Sequence, residues 1–143
     1  VEEAQTKLLA KGTAAFPLLI AHQEDARYCG TYPTSILRDF TVGEICLQII
    51  ERQIDLRLGS YKGRTGADGE SHGPPDYLQE HRPLDRWWAK RSHLSLRDIQ
   101  IEVMEWTITQ EREIGFPDAK SKKDWLDPLV AKLAELRSEE PPK

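Results

Sequence analysis

Residues 41–54, TVGEICLQIIERQI, decide the fold class. Thr41 followed three residues later by Glu44 is a capping box, in which a hydroxyl and a carboxylate satisfy backbone donors that the start of a helix leaves orphaned. Val42, Ile45, Cys46, Ile49 and Ile50 then fall at i, i+3, i+4, i+7 and i+8, and Ile54 extends the row. Glu51, Arg52 and Asp55 take the opposite side. A helix with one apolar stripe of this width needs other elements to cover it. The stretch therefore predicts a helix packed among further helices.

Upstream, residues 2–11 (EEAQTKLLAK) read as a short helix closed by Gly12. Residues 13–23 (TAAFPLLIAHQ) read as a second, with Thr13 as cap and Pro17 in the first turn, where a helix tolerates proline. Residues 26–40 read as an ordered loop: Gly30, Pro33, Thr34 and Ser35 punctuate it, while Tyr28, Tyr32, Ile36, Leu37 and Phe40 are apolar enough to pack. Downstream, residues 59–83 hold five glycines and three prolines and read as a long loop with one helical turn at Tyr77–Glu80. Leu84–Arg91 is predicted as a short helix. A longer one opens at Ser95 with Asp98 and runs to Ile114, stopped by Gly115 with Pro117 beyond. Ile99, Val103 and Trp106 lie on one of its faces, with Ile101, Met104 and Ile108 on the next. Residues 119–137 complete the helical pattern, with Asp127-Pro128 expected to divide them in two. No alternating β-branched run exceeds four residues. The expectation is an all-α fold of five to six helices in one domain over residues 1–140. Its parts are helix pairs in residues 1–58, the long loop 59–83, and helices in 84–138 that form a C-terminal hairpin on which the first pairs pack.

The order Gly12, Ala15, Pro17, Leu18, Leu19, then Glu24-Asp25, then Val42, Ile45, Cys46, Ile49 and Ile50 resembles a HEAT repeat. The resemblance covers residues 1–54 and implies paired helices and a binding surface, without naming a partner. Two departures stand out. Residues 26–40 replace the family's short turn, and Gly43 stands where a basic residue follows the valine. No repeat period continues beyond residue 59, so the sequence excludes a long regular solenoid.

The chain has 143 residues, a net charge of −4 and a pI near 5.6, which disfavours whole-molecule attraction to nucleic acid or an anionic membrane. No apolar run approaches the length of a transmembrane helix, and no signal peptide is read. A chain that begins at Val1 reads equally well as a matured product or a trimmed piece, so export and a cytoplasmic location stay equally open. Cys29 and Cys46 are the only thiols. They make no CxxC pair, and Cys46 lies on the apolar face of its helix.

The segment HRPLDRWWAKRSH, residues 81–93, places Arg82, Arg86, Lys90 and Arg91 around Trp87 and Trp88, with Asp85 the one acid. Basic and aromatic residues interleaved in this way can bind phosphates, bases or sugars. The plainer account puts one tryptophan in the core and the cations in water. Adjacent helical residues point about 100° apart, so the two rings cannot share one buried stripe. His22, His72, His81 and His93 show no ligand spacing, so no metal is assigned. Residues 63–73 (GRTGADGESHG) lack the ending of a phosphate loop and the register of a calcium loop. Glu102, Glu105, Glu111 and Glu113 read as a solvated helix face pairing with Arg97 or Arg112. No catalytic residue and no cofactor is assigned.

The sequence thus favours a non-catalytic helical module that binds an unidentified protein, with Arg86, Trp87, Trp88, Lys90, Arg91, Tyr61, Tyr77 and His81 as candidate surface residues. The alternative is a small enzyme or ligand-binding domain with a site under the 59–83 loop, lined by Tyr61, His72, Tyr77, His81 and Trp87. A further alternative is weak nucleic-acid binding through residues 81–97, which the overall charge opposes. Maturation in an oxidising compartment would join Cys29 to Cys46 and close a loop of about 18 residues, contributing roughly 3 kcal/mol. Thiol titration of denatured, unreduced protein from such a compartment should then find no reactive thiol; two would end the bridge.

Overall fold

A computed structural model describes residues 2–31, 39–57 and 63–138. Its helix α3 (Val42–Ile54) begins on the expected capping box. The Thr41 N–H donates to Glu44 Oε2 at 3.0 Å, and the Glu44 N–H donates to Thr41 Oγ1 at 3.2 Å. The buried face is Ile45, Cys46, Ile49, Ile50, Gln53 and Ile54. Gly43 is buried as well, and the absence of a side chain there has a physical reason. The Gly43 N–H donates to Asp25 O and the Val42 N–H to Arg27 O, both at 2.9 Å. That approach leaves no room for a side chain, since a Cβ on Gly43 would run into the Gln23 carbonyl.

Ahead of α3 come α1 (Glu2–Ala10), a 3-10 turn (Gly12–Ala15) and α2 (Phe16–Ala21). Gly12 ends α1 with φ +60, as a left-handed stop requires. Thr13 lies inside the 3-10 turn rather than capping α2, whose Pro17 sits in its first turn. Residues 26–40 are not wholly loop. β1 (Tyr28–Thr31) and β2 (Asp39–Thr41) pair antiparallel, Tyr28 opposite Thr41 and Thr31 opposite Asp39, with an irregular register between. The predicted packing of Tyr32, Ile36 and Leu37 lies outside the described residues. At the start of this insert the Arg27 guanidinium grips Asp25 with a shortest contact of 2.6 Å. These bonds, joined by the Arg27 backbone N–H, hold the Asp25 carboxyl down at about 2.

Further along are β3 (Arg64–Thr65), β4 (Ser71–His72), α4 (Tyr77–Glu80), α5 (Leu84–Arg91), α6 (Leu96–Ile114) and α7 (Ala119–Ser138). The described residues are mostly helical, with seven α-helices of which α4 is a single turn, and the strands form only two short antiparallel pairs. The fold is all-α. The stretch predicted as a 59–83 loop contains the β3–β4 hairpin, Arg64 opposite His72 and Thr65 opposite Ser71, as well as α4. Pro128 does not divide α7. Leu126, Leu133 and Leu136 are buried on either side of it, so packing carries the helix across the one backbone bond a proline removes.

The chain folds into two compact units. One comprises Val1–Ile54 and His81–Leu96, the other Asp55–Glu80 and Arg97–Lys143, so α5 belongs with the first three helices and the β3–β4 hairpin with α6 and α7. In the first unit Phe16, Leu19, Ile49, Ile50, Ile54, Leu84 and Trp87 are buried. In the second, Met104, Ile108, Leu126 and Leu133 form a core flanked by Leu56, Ile101, Phe116 and Leu129. Here α6 and α7 run antiparallel as a hairpin. Arg97 at the start of α6 donates to the Leu136 and Arg137 carbonyls at 2.8 and 3.1 Å, and Arg137 reaches Glu105 at 2.6 Å. Cys46 is buried on α3. The Cys29 side chain lies outside the described ones, so its pairing rests on the titration above.

Ile49 is 1 % exposed and Glu51, two residues on, faces water. Ile49→Ala is expected to destabilise by about 2–5 kcal/mol through the cavity it opens. Glu51→Ala should change stability by less than about 0.5 kcal/mol. Equal shifts of the urea midpoint at the two positions would mean that this face of α3 is not the buried one.

Candidate functional site

The sequence candidates divide between the two units. In the first, Trp87 is 3 % exposed while Trp88 is only half-buried. The division follows from the 100° step between neighbours on α5. Phe16 of α2 touches both rings, at centroid distances of 6.5 Å to Trp87 and 5.2 Å to Trp88. Arg91 turns back on α5, lying 5.4 Å from the Trp87 ring and donating to the Trp87 carbonyl at 3.1 Å. Arg86 and Lys90 are exposed on the outer side of the helix, and His81 is half-buried at its approach.

The neighbouring helix has an outer face that sequence reasoning passed over. Ala15, Phe16, Leu19 and Ile20 are buried, whereas Ala14, Pro17, Leu18 and Ala21 are exposed. Those four positions stand at i, i+3, i+4 and i+7, so they form a second apolar row directed at solvent. Leu18 is 54 % exposed. Single apolar side chains at a surface are ordinary; a row of four without an ionisable group is not. Its signal was present in the sequence. Residues 14–21 are apolar all round, more than one buried stripe requires.

In the second unit Tyr77 is buried. Its hydroxyl donates to the Glu102 carboxylate, and its ring meets Trp106 edge-on with centroids 5.4 Å apart. Tyr61 lies outside the described residues. Of the residues expected to line a site under the 59–83 loop, His72 and Tyr77 thus belong to one unit and His81 and Trp87 to the other. His72 Nε2 lies 3.0 Å from each Asp68 oxygen across the hairpin turn. That contact, with the Glu70 N–H, holds the Asp68 carboxyl below its usual range. Among the described residues no three His, Cys, Asp or Glu side chains cluster as metal ligands would.

Glu111 corrects the sequence reading outright. It is not part of a solvated face: its side chain is 0 % exposed, and it is ion-paired to β3. Arg64 of β3, 8 % exposed, places Nε 2.6 Å from Glu111 Oε2. The same guanidinium donates to Gly115 O at 2.5 Å and Glu111 O at 2.9 Å and lies 4.0 Å from the Phe116 ring centroid. It therefore closes the C-terminus of α6, where unpaired carbonyls and the helix dipole favour a cation. Beside this corner Arg112, Gly115, Phe116, Asp118, Ala119 and Lys122 line a surface pocket of about 470 Å³. The start of α7 at this pocket is already served by its own chain, because Asp118 accepts the Ser121 N–H at 2.7 Å. That bond, with the Ser121 hydroxyl, lowers the Asp118 carboxyl.

No protein-family model, curated protein or solved structure matches the chain. Among the described residues no helix is long and apolar enough to cross a membrane.

Removing one member of a buried ion pair strands the other charge, at a cost of about 3–5 kcal/mol. Arg64→Met is expected to show a loss of this size in urea unfolding. Arg64→Met combined with Glu111→Leu should recover at least half of it, since the carboxylate is then gone as well. A loss below about 1 kcal/mol in the single variant would show that the hairpin is not anchored here.

Proposed function

We propose that the chain is a non-catalytic, HEAT-like helical module that binds a protein partner through the outer faces of α2 and α5. The observation that carries this reading is the solvent-facing row Ala14, Pro17, Leu18 and Ala21 on the helix whose buried Phe16 packs on a partly exposed Trp88. An apolar row of this spacing is what one helix presents to another. Covering the exposed half of Leu18 is worth about 1 kcal/mol, and tryptophan and arginine are the residues that most often dominate binding at such surfaces. Of the sequence candidates, Arg86, Trp88 and Lys90 remain in this surface, with Arg91 and His81 at its margin. Trp87 and Tyr77 support it or lie elsewhere, being buried.

A photo-crosslinking side chain placed at position 18 of the full chain tests the proposal in the native host. A single protein species should be captured, rebind the purified chain, and lose at least tenfold in affinity with Leu18→Asp. Because Leu18 is exposed, that variant should melt as the parent does. Absence of any adduct, together with a turnover activity that co-purifies with the chain, would overturn the reading.

A further inference from the structure

The corner that Arg64 closes also bounds a cavity in the second unit. Arg112 near the end of α6, Gly115, Phe116 and Asp118 in the turn, and Ala119 and Lys122 at the start of α7 line about 470 Å³, a volume that takes a small molecule rather than a folded segment. Two of its walls are fixed from behind. The Phe116 ring packs on the core of Met104, Ile108, Leu126 and Leu133 and lies 4.0 Å from the Arg64 guanidinium, which also holds the Gly115 carbonyl. The charged lining is mixed. Arg112 and Lys122 come from different helices, are exposed, and pair with no described carboxylate. Asp118 adds one negative charge, and its bonds to Ser121 keep it ionised well into acid.

Most classes of occupant leave part of this lining unanswered. A metal ion would meet one carboxylate and two cations. A wholly apolar molecule would cover the cations without a counter-charge. A phosphate dianion would face Asp118 as well as the cations, and the Ser121 N–H at the helix end is already taken by that same carboxylate. We infer that the cavity binds a free α-amino acid with a large apolar side chain. The ligand carboxylate meets Arg112 and Lys122, the ammonium meets Asp118, and the side chain lies against Phe116. Arginine and lysine both donate charge-assisted bonds to a carboxylate, and a carboxylate such as Asp118 accepts more than one bond at once. The ion pairs are open to water, so each contributes little, and the expected Kd is on the order of 1 mM. The site belongs to the second unit and goes beyond the interaction surface on α2, so failure of either proposal leaves the other standing.

Nitrogen–proton correlation spectra of the full chain, titrated with L-phenylalanine, test the site. The amide signals of Gly115, Phe116, Ala119 and Lys122 should move together and saturate, while those of Leu18 and Ala21 stay still. Two analogues each lack one charge: phenylpropionate has no ammonium, and phenylethylamine has no carboxylate. Each should bind about fivefold or more weaker than phenylalanine. Arg112→Gln with Lys122→Gln should weaken phenylalanine by about the same factor and remove its advantage over phenylethylamine. Asp118→Asn, which keeps a capping side chain on α7, should bring phenylalanine down to the level of phenylpropionate. All these positions are exposed, so the variants should melt as the parent does. No saturation by about 10 mM phenylalanine, either analogue binding as tightly as phenylalanine, or unchanged affinity in the doubly substituted variant would each overturn the inference.

Discussion

Arg64 and Glu111 meet at 2.6 Å with almost no water at either group. Taking two charges out of water costs several kcal/mol for each, and the attraction between them offsets this only when the remaining donors and acceptors are also satisfied. Here they are. The guanidinium that meets the carboxylate also holds the carbonyls of Glu111 and Gly115 and lies against Phe116. One side chain thereby fixes where the β3–β4 hairpin lies, where α6 ends and how the chain leaves for α7. Gly115 completes the corner: its φ of +75 lets the chain turn, and its missing Cβ leaves room for Ala67. The rest of the second unit depends on this corner, because the α6–α7 hairpin buries its leucines only if α6 stops where it does.

What the sequence revealed and what it hid follow from how far apart the partners lie along the chain. Thr41 and Glu44, Gly12 and Gly115, and the face of α3 were all legible, since each is a local rule acting over a few residues. Glu111 was not, because its partner is 47 residues away and the helix rules look only three or four residues along. A signal existed all the same. Ile99, Val103, Thr107 and Glu111 form an unbroken i, i+4 column on α6, and all four are buried. Phase alone placed the glutamate inside, and it was the residue type that misled. The β1–β2 and β3–β4 pairs were missed because strands of two to four residues carry too few side chains to show an alternation. At the surface, the cations and tryptophans of α5 stood out at once. The apolar row on α2 did not, because an apolar helix looks buried until its neighbours are known.

Phe16 does in the first unit what Arg64 does in the second. Fully buried, it joins α2 to α5 through contacts with both tryptophans, and the inner one fills the core. Trp88 is thus held at the surface by packing from below, with little side-chain freedom left to lose when something covers it. An aromatic ring fixed in this way is a better anchor for a partner than one on a mobile loop, because less ordering has to accompany binding.

The path of the chain through the two units has a consequence for how the protein is made. The first unit takes residues 1–54 and then 81–96, and the second takes the stretch between them and everything after. During synthesis Phe16 therefore waits for Trp87, some 70 residues behind it, before its face of the core can close. By then the β3–β4 hairpin has left the ribosome, with Arg64 still lacking Glu111. The first unit has all its residues once residue 96 has emerged, while the second still waits for nearly all of α6 and for α7. The units therefore become complete in order, and a nascent chain halted anywhere between residues 55 and 110 would expose an unfinished apolar surface to whatever chaperones attend it.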